Sequence, residues 1–115
     1  MDREKVRDYC RLKPSAVETF PFDDVTLVVK VGGKMFALIP TDGNSESITL
    51  KCEPFLAQLF REKYASVSPA YHMNKKHWNT VLLKGDVPDE ELLKMIDHSY
   101  DLVLESLPKS RRPHR

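Results

Sequence analysis

The sequence predicts an α+β domain in which an antiparallel sheet carries its helices on one face. Three segments repeat apolar residues at helical spacing, and five others are β-branched or alternate between polar and apolar residues. Their order is α-β(3)-α-β(2)-α, and the turns between successive strands are of hairpin length, which requires antiparallel pairing. A chain of 115 residues has room for one core of this kind.

The first helix is predicted over residues 2–13. Asp2 is a suitable N-cap, and Pro14 ends the helical pattern because proline cannot continue a helix. The following residues, 14–24, contain two prolines and a pair of acids, so we expect an irregular connection there.

Three strands are predicted next. The β-branched run 25–31 is the first, and the return strand covers 35–39. Gly32-Gly33 between them favours a two-residue hairpin turn, because both residues accept a positive φ. A turn over 40–45 leads to the third strand, 47–52, whose strict alternation predicts one solvated face.

The second helix is predicted to begin at Pro54, and the third follows Pro88 with three acids in its first turn. One apolar stripe is expected to bury the second helix: Phe55, Leu56, Leu59, Phe60 and Tyr64. Another is expected to bury the third: Leu92, Leu93, Ile96, Tyr100, Val103 and Leu107.

A second hairpin is predicted between these helices, with strands at 69–73 and 78–84 around the turn Asn74–His77. We therefore expect a single domain over residues 1–108. The remainder, 109–115, reads as a frayed basic tail.

Charge is segregated along the chain although the net charge is only +1, from 18 Lys and Arg against 17 Asp and Glu. Residues 63–84 contain four lysines, two histidines and no acid, and the tail from Pro108 onward is also basic without acids. Such a chain can present a basic face despite its near-neutral total.

No apolar run approaches the roughly 20 residues of a membrane span, and the charged start of the chain is unlike a signal peptide. Cys10 and Cys52 lie far apart and match no metal-ligand spacing, so we expect two reduced, buried thiols. Together these features predict a cytoplasmic protein without membrane partners.

Several segments resemble the MmcQ/YjbR family. The resemblance runs from the first helix to about Lys109, and its most specific part is Tyr71–Asn79. The other matching segments are Gly32–Ala37, Leu50–Cys52, Ser99–Leu102 and Leu107–Lys109. The resemblance implies an α-β(3)-α-β(2)-α fold similar to type III secretion chaperones and CyaY-like domains, and it implies DNA binding through a double wing of hairpins.

Mapped onto this chain, the two wings end at Gly32-Gly33-Lys34 and at Asn74–His77. Wings bind by laying lysines against phosphates. The residues expected to contact DNA are Lys34, Lys75, Lys76, His77 and Trp78, with Lys30, Lys51 and Lys84 as flanking cations. Acids at Asp42 and Glu46 would repel phosphate if they shared that face.

Other chemistry is weakly represented. His72 and His77 have no carboxylate nearby in sequence, so we expect no metal site and no cofactor, and His72 reads better as a hydrogen-bonded histidine. Trp78 reads as a core residue or as a platform that stacks a base. No nucleophile–base set is evident, so we expect no enzyme.

The leading interpretation is therefore a monomeric DNA-binding protein. The alternative is a protein-interaction module that resembles a secretion chaperone in fold and uses the open face of its sheet. A third interpretation, a small-ligand site or enzyme around His72, His77 and Trp78, has less support.

Overall fold

The computed structural model describes residues 1–43 and 46–113. It contains three α-helices, α1 to α3, and six strands, β1 to β6, within these ranges. The helices are Arg3–Arg11, Pro54–Lys63 and Asp89–Ser106. The strands are Val17–Thr19, Thr26–Val31, Lys34–Pro40, Ser47–Lys51, Val67–Pro69 and Trp78–Leu82. Two residues of the predicted turn 40–45 and the last two of the tail lie outside the described residues.

All six strands form one antiparallel sheet in the order β1-β2-β3-β4-β6-β5. The α+β class and the antiparallel pairing are thus confirmed. The Asp2 cap is also confirmed, because its carboxylate accepts a hydrogen bond from the Lys5 amide at 2.9 Å.

Two strand predictions were wrong, and both concern the edges of the sheet. The connection 14–24 contains β1, which pairs Val17 with Lys30 on β2. At the other edge β5 covers Val67–Pro69, whereas the sequence predicted a strand over 69–73. Pro69 is tolerated in β5 because an edge strand leaves one side without ladder hydrogen bonds.

The core lies on the face of the sheet that the helices cover. Its largest fully buried side chains include Phe36 of β3, Ile48 of β4 and Ile96 of α3. The ring of Phe36 packs edge-on against Tyr100 with 5.2 Å between centroids. The predicted stripe of α3 is confirmed, with Leu93 only partly buried.

The predicted stripe of α2 was wrong in part. Phe55 and Leu59 are exposed, at 71% and 43%, while Ala57 is fully buried. The helix packs beside the sheet edge at β5, so only a narrow side of it is covered.

A bulge and a buried hydroxyl shape one end of the sheet. Along β2 and β3, Val29 pairs with Ala37 but Lys30 pairs with Met35, so Phe36 is an extra residue. The Ser99 hydroxyl of α3 donates to the Phe36 carbonyl at 2.6 Å and accepts from the Lys51 amide at 2.9 Å. Thus α3 bonds directly to the backbone of both central strands.

The expectation of a frayed tail was wrong for its described part. Lys109–Arg111 forms a 3₁₀ turn. The guanidinium of Arg112 donates to the carbonyls of Leu107 and Glu105, at 3.0 and 2.9 Å. The first residues of the tail therefore pack back onto the end of α3.

Cys10 and Cys52 are both free and buried, as expected. Burial raises the pKa of the Cys10 thiol to about 12 and that of Cys52 to about 11. Both thiols therefore stay protonated at neutral pH, which suits packing better than nucleophilic chemistry.

Within the described residues, none of the helices combines the length and apolar character that crossing a bilayer requires.

We predict that Ile96→Ala lowers the free energy of unfolding by about 2–5 kcal/mol, because the side chain is fully buried in the core. Chemical denaturation measures this loss. Lys94→Ala, an exposed position on the same helix, is the matched control. A loss for Ile96→Ala as small as that of the control would contradict the packing described above.

We predict a pH-dependent contribution from Asp86. Its carboxylate accepts hydrogen bonds from the Ser66 hydroxyl and from the amides of Ser66 and Ala65, which lowers its pKa to about 2. Because the folded pKa lies below the unfolded value, this stabilisation is present at neutral pH and is lost as the pH falls through about 2. The stability gap between wild type and Asp86→Asn, measured by urea titration, should narrow between pH 4 and pH 2. A stability difference that stays constant between pH 4 and pH 2 would contradict this prediction.

Candidate nucleic-acid interface

The topology brings both predicted hairpin tips to the same end of the sheet. Strand β3 starts at Lys34, and its neighbour β4 runs antiparallel and ends at Lys51. Lys51 pairs with Trp78, the first residue of β6, and Pro69 at the end of β5 pairs with Asn79. We call this end of the sheet the basic end; it carries Lys30, Lys34, Lys51 and the loop 70–77.

The first tip is a tight turn held against the end of α3. Gly32 and Gly33 have φ of +57° and +83°, as predicted for a glycine hairpin. A Cβ on Gly32 would lie 2.5 Å from a methyl group of Leu107 and 3.1 Å from the Arg111 carbonyl, so a larger residue would displace Leu107 and strain the turn. Lys34 follows the turn, and its ammonium donates to the Ser106 hydroxyl at 3.4 Å.

The second tip is the loop 70–77, and its turn is where the sequence predicted it. The Asn74 side chain accepts a hydrogen bond from the Lys76 amide at 3.0 Å, which closes the turn locally. The Lys75 ammonium lies 5.1 Å from the centre of the Tyr71 ring. Both lysines are exposed.

Arg61 of α2 holds this loop in place through hydrogen bonds. Its guanidinium donates to the side chain of Asn79 at 2.6 Å and to the carbonyl of Lys75. A longer contact of 3.4 Å reaches the Trp78 carbonyl. Asn79 is buried and donates in turn to the Ala57 carbonyl at 3.2 Å. The second tip is therefore a positioned element, tied to a helix on the covered side.

Two depressions meet at Trp78, one on the open face of the sheet and one that runs from this face around the basic end to Val103 of α3. The larger, the cleft, has a volume of about 750 Å³ and lies between the connection that contains Phe22 and the loop 70–77. The smaller, the basic depression, has a volume of about 370 Å³. Trp78 is 8% exposed and lines both, so it is a wall of the open face and not part of the core cluster beneath α3.

Three lysines line the basic depression: Lys30, Lys34 and Lys51. Among the described residues that line it there is no Asp or Glu. The strand residues Lys30 and Lys51 point to this face because they alternate with the buried core positions of β2 and β4. The structure thus places one predicted contact, Lys34, and two flanking lysines, Lys30 and Lys51, around one depression beside Trp78.

Lys84 does not belong to this group. It follows β6 at the opposite end of the sheet, where its ammonium lies 3.6 Å from a carboxylate oxygen of Glu46. The same end carries Asp42, in the turn after β3. Asp42 and Glu46, the acids that would repel phosphate, therefore lie a strand length away from the predicted interface.

The backbone of His77 is hydrogen-bonded within the candidate interface. Its carbonyl accepts from the Cys52 amide at 2.8 Å, and its own amide donates to the Asn74 carbonyl at 3.0 Å. His72 is exposed and lines the cleft, and the expectation of a hydrogen-bonded histidine there stays a prediction. Across residues 1–43 and 46–113, no cluster of three His, Cys, Asp or Glu side chains could hold a metal ion.

Two contributors escaped the sequence reasoning. Arg61 stands in a helix with no special motif, so only the fold shows what its guanidinium reaches. The backbone of Arg111 lies beside the first tip, where its carbonyl is close to Gly32. The signal for Arg111 was present as the acid-free run after Pro108, but a tail assumed to be frayed cannot be placed.

The fold is that of a small α+β domain, and the profile of the YjbR family matches residues 12–102. The chain belongs to this family. It is 34% identical over 112 residues to the Escherichia coli (strain K12) protein named Uncharacterized protein YjbR, covering 97% of this chain and 95% of that one.

Solved structures resemble the chain closely. The crystal structure of Deinococcus radiodurans DR2400 superposes with a TM-score of 0.89 at 39% identity, covering 96% of this chain and 84% of that one. A crystal structure of a Pseudomonas syringae protein gives a TM-score of 0.78 at 31% identity over 90% of this chain and 99% of the other. These likenesses agree with the sheet and helices described above.

We predict that Arg61→Ala loosens the second tip while the domain stays folded. Without the guanidinium, the amides of His77 and Trp78, which both donate to Asn74, should exchange faster with solvent. Amide hydrogen exchange measures this. Lys63→Ala removes the same charge from the same helix and is the control. Unchanged exchange at both amides in Arg61→Ala would show that the loop does not depend on the arginine.

Proposed function

We propose that this protein binds DNA through its basic end, with lysines of the two hairpin tips against phosphates. The observation that carries the proposal is the convergence of both tips at one end of the sheet. Lys34 and Lys51 line the basic depression, and Lys75 and Lys76 stand on the neighbouring loop. Ammonium groups grouped in this way bind a phosphate chain without reading its bases.

The distribution of acids supports the same proposal. Antiparallel strands carry Asp42 and Glu46 to the far end, and Glu46 is paired there with Lys84. Glu53 follows β4 at the basic end, but its carboxylate already accepts hydrogen bonds from the Phe55 and Leu56 amides. Lysines grouped at one end can attract a polyanion even though the net charge is only +1.

We assign binding and no reaction to this surface. The strongest potential nucleophiles, Cys10 and Cys52, are buried with raised pKa values and lie on the covered side of the sheet or beyond its end. The Ser99 hydroxyl is bonded to two backbone groups in the core. What remains at the basic end is cationic and aromatic, which suits recognition.

The alternative function is the docking of a protein segment on the open face. One observation favours it: Phe22 and Tyr71 flank the cleft with exposed fractions of 65% and 68%. An apolar protein contact would change little with salt, whereas phosphate contacts weaken steeply as salt rises. The slope of log affinity against log salt therefore separates the two functions.

We predict that replacing Lys75 and Lys76 with Glu abolishes most of the affinity for DNA, because two attractive contacts become repulsive. Replacement of both with Ala should reduce the salt slope by about two units, if each lysine meets one phosphate. Fluorescence anisotropy with labelled DNA at several salt concentrations measures both effects. The weakening should be similar for unrelated sequences.

The matched control places the same charge change on the helical side, in Lys5→Glu combined with Lys94→Glu. Both positions are exposed on α1 and α3. Equal weakening by the control pair would show that total charge, and not the basic end, governs binding. Absence of DNA binding by the wild-type protein at low salt would contradict the proposed function.

A further inference from the structure

The cleft is shaped for a flat, partly polar group. Its volume of about 750 Å³ lies in the range of pockets that hold small molecules, and most of its walls are apolar. The residues lining it on the strands are Thr26, Met35, Leu38, Pro40, Thr49, Trp78 and Thr80. Asp23 also lines it beside Thr26, at the end farthest from Lys34, and its carboxylate accepts hydrogen bonds from the Thr26 amide and hydroxyl. Phe22 and the loop 70–74 form its two sides.

Aromatic rings stand exposed at both sides of this cleft. Phe22 is 65% exposed and Tyr71 is 68% exposed, so both rings are open to a bound partner at the rim of the cleft. The ring of Tyr71 already has the Lys75 ammonium over it. Phe22 is therefore the better stacking surface, while the Lys75 ammonium over Tyr71 places a positive charge at the rim.

The floor of the cleft is polar at one point. The hydroxyls of Thr49 and Thr80 lie opposite each other on β4 and β6 and share a hydrogen bond of 2.9 Å. Two hydroxyls that share one bond still offer one hydrogen and several lone pairs. A purely apolar occupant would leave these groups unsatisfied, whereas the edge of a heterocycle can bond to them.

The cleft continues into the basic depression. Phe22, Met35 and Trp78 line both, so a bound molecule can extend from one to the other. One end of this combined surface is aromatic with a polar floor, and the other carries Lys30, Lys34 and Lys51. A nucleobase linked to a phosphate matches this order of chemistry.

We propose that the cleft receives an unpaired base of single-stranded nucleic acid, stacked against Phe22, while the adjoining phosphate lies on the lysines of the basic depression. This inference rests on the proposed function, since it uses the same lysines. It goes further by naming the strand type, because a base enters the cleft only when it is free of its duplex partner.

The test compares a labelled oligo-thymidine strand with an abasic strand of the same length. Both present the same phosphates, and only the first presents bases. The wild-type protein should bind the abasic strand about fivefold to a hundredfold more weakly, the range expected for the loss of one stacked base. Phe22→Ala should bind both strands equally, at the level of the abasic strand.

Two variants control this comparison. Phe55→Ala removes an equally exposed ring, at 71%, from α2, where it lines neither depression, so it should keep the preference for bases. Phe22→Trp should also keep it, because the larger ring still stacks. Loss of the preference in Phe55→Ala, or its survival in Phe22→Ala, would overturn the assignment to the cleft.

Further outcomes separate this inference from the proposed function. Equal binding of thymidine and abasic strands by the wild type would overturn the base site and leave phosphate binding intact. Binding of neither strand at low salt would overturn both. Thymidine 5′-monophosphate should bind far more weakly than the strand; equal affinity would assign the cleft to free nucleotides and overturn the single-strand proposal.

Discussion

A buried hydroxyl holds the basic end of the sheet in shape. Phe36 is an extra residue in β3, so the backbone there departs from regular pairing. The Ser99 hydroxyl bonds to the Phe36 carbonyl and to the Lys51 amide, which joins α3 to both central strands at that point. Because the Lys51 amide itself makes this contact, the position of a lysine on the open face depends on a hydrogen bond to a helix on the covered face.

The second constraint is that the helices cover only one face of the sheet. The core beneath α1 and α3 supplies the stability, so the other face is free to carry residues chosen for contact. Thr49, Thr80 and Trp78 alternate with buried neighbours along their strands and line depressions on that free face. In this fold the packed core and the candidate binding surface lie on opposite sides of one sheet.

Antiparallel pairing also divides the charge. A chain that reverses direction at each turn places every second connection at the same end. The glycine turn at Gly32 and the loop 70–77 therefore lie at the same end of the sheet, while the turn with Asp42 lies at the far end with Glu46 and Lys84. Lysines and acids that are only partly separated along the sequence lie at opposite ends of the sheet in the fold.

The sequence by itself determined the helices, the central strands and the glycine turn, because each depends on local propensity, periodicity or a cap. It also determined that Cys10 and Cys52 would be buried, and that Lys34, Lys75 and Lys76 would stand at hairpin tips. These properties follow from neighbours within a few residues, which the chain order already contains.

Only the tertiary structure decided which of these residues act together. It removed Lys84 from the group, added Arg61 as the residue that holds the second tip, and placed Trp78 on the open face. It also revealed β1, whose three residues carry too weak a pattern to be recognised, and the exposed Phe55 in a helix that looked amphipathic. The physical reason is the same in each case: contacts between segments distant in sequence depend on strand order and on which faces are covered, and neither is encoded in any local pattern.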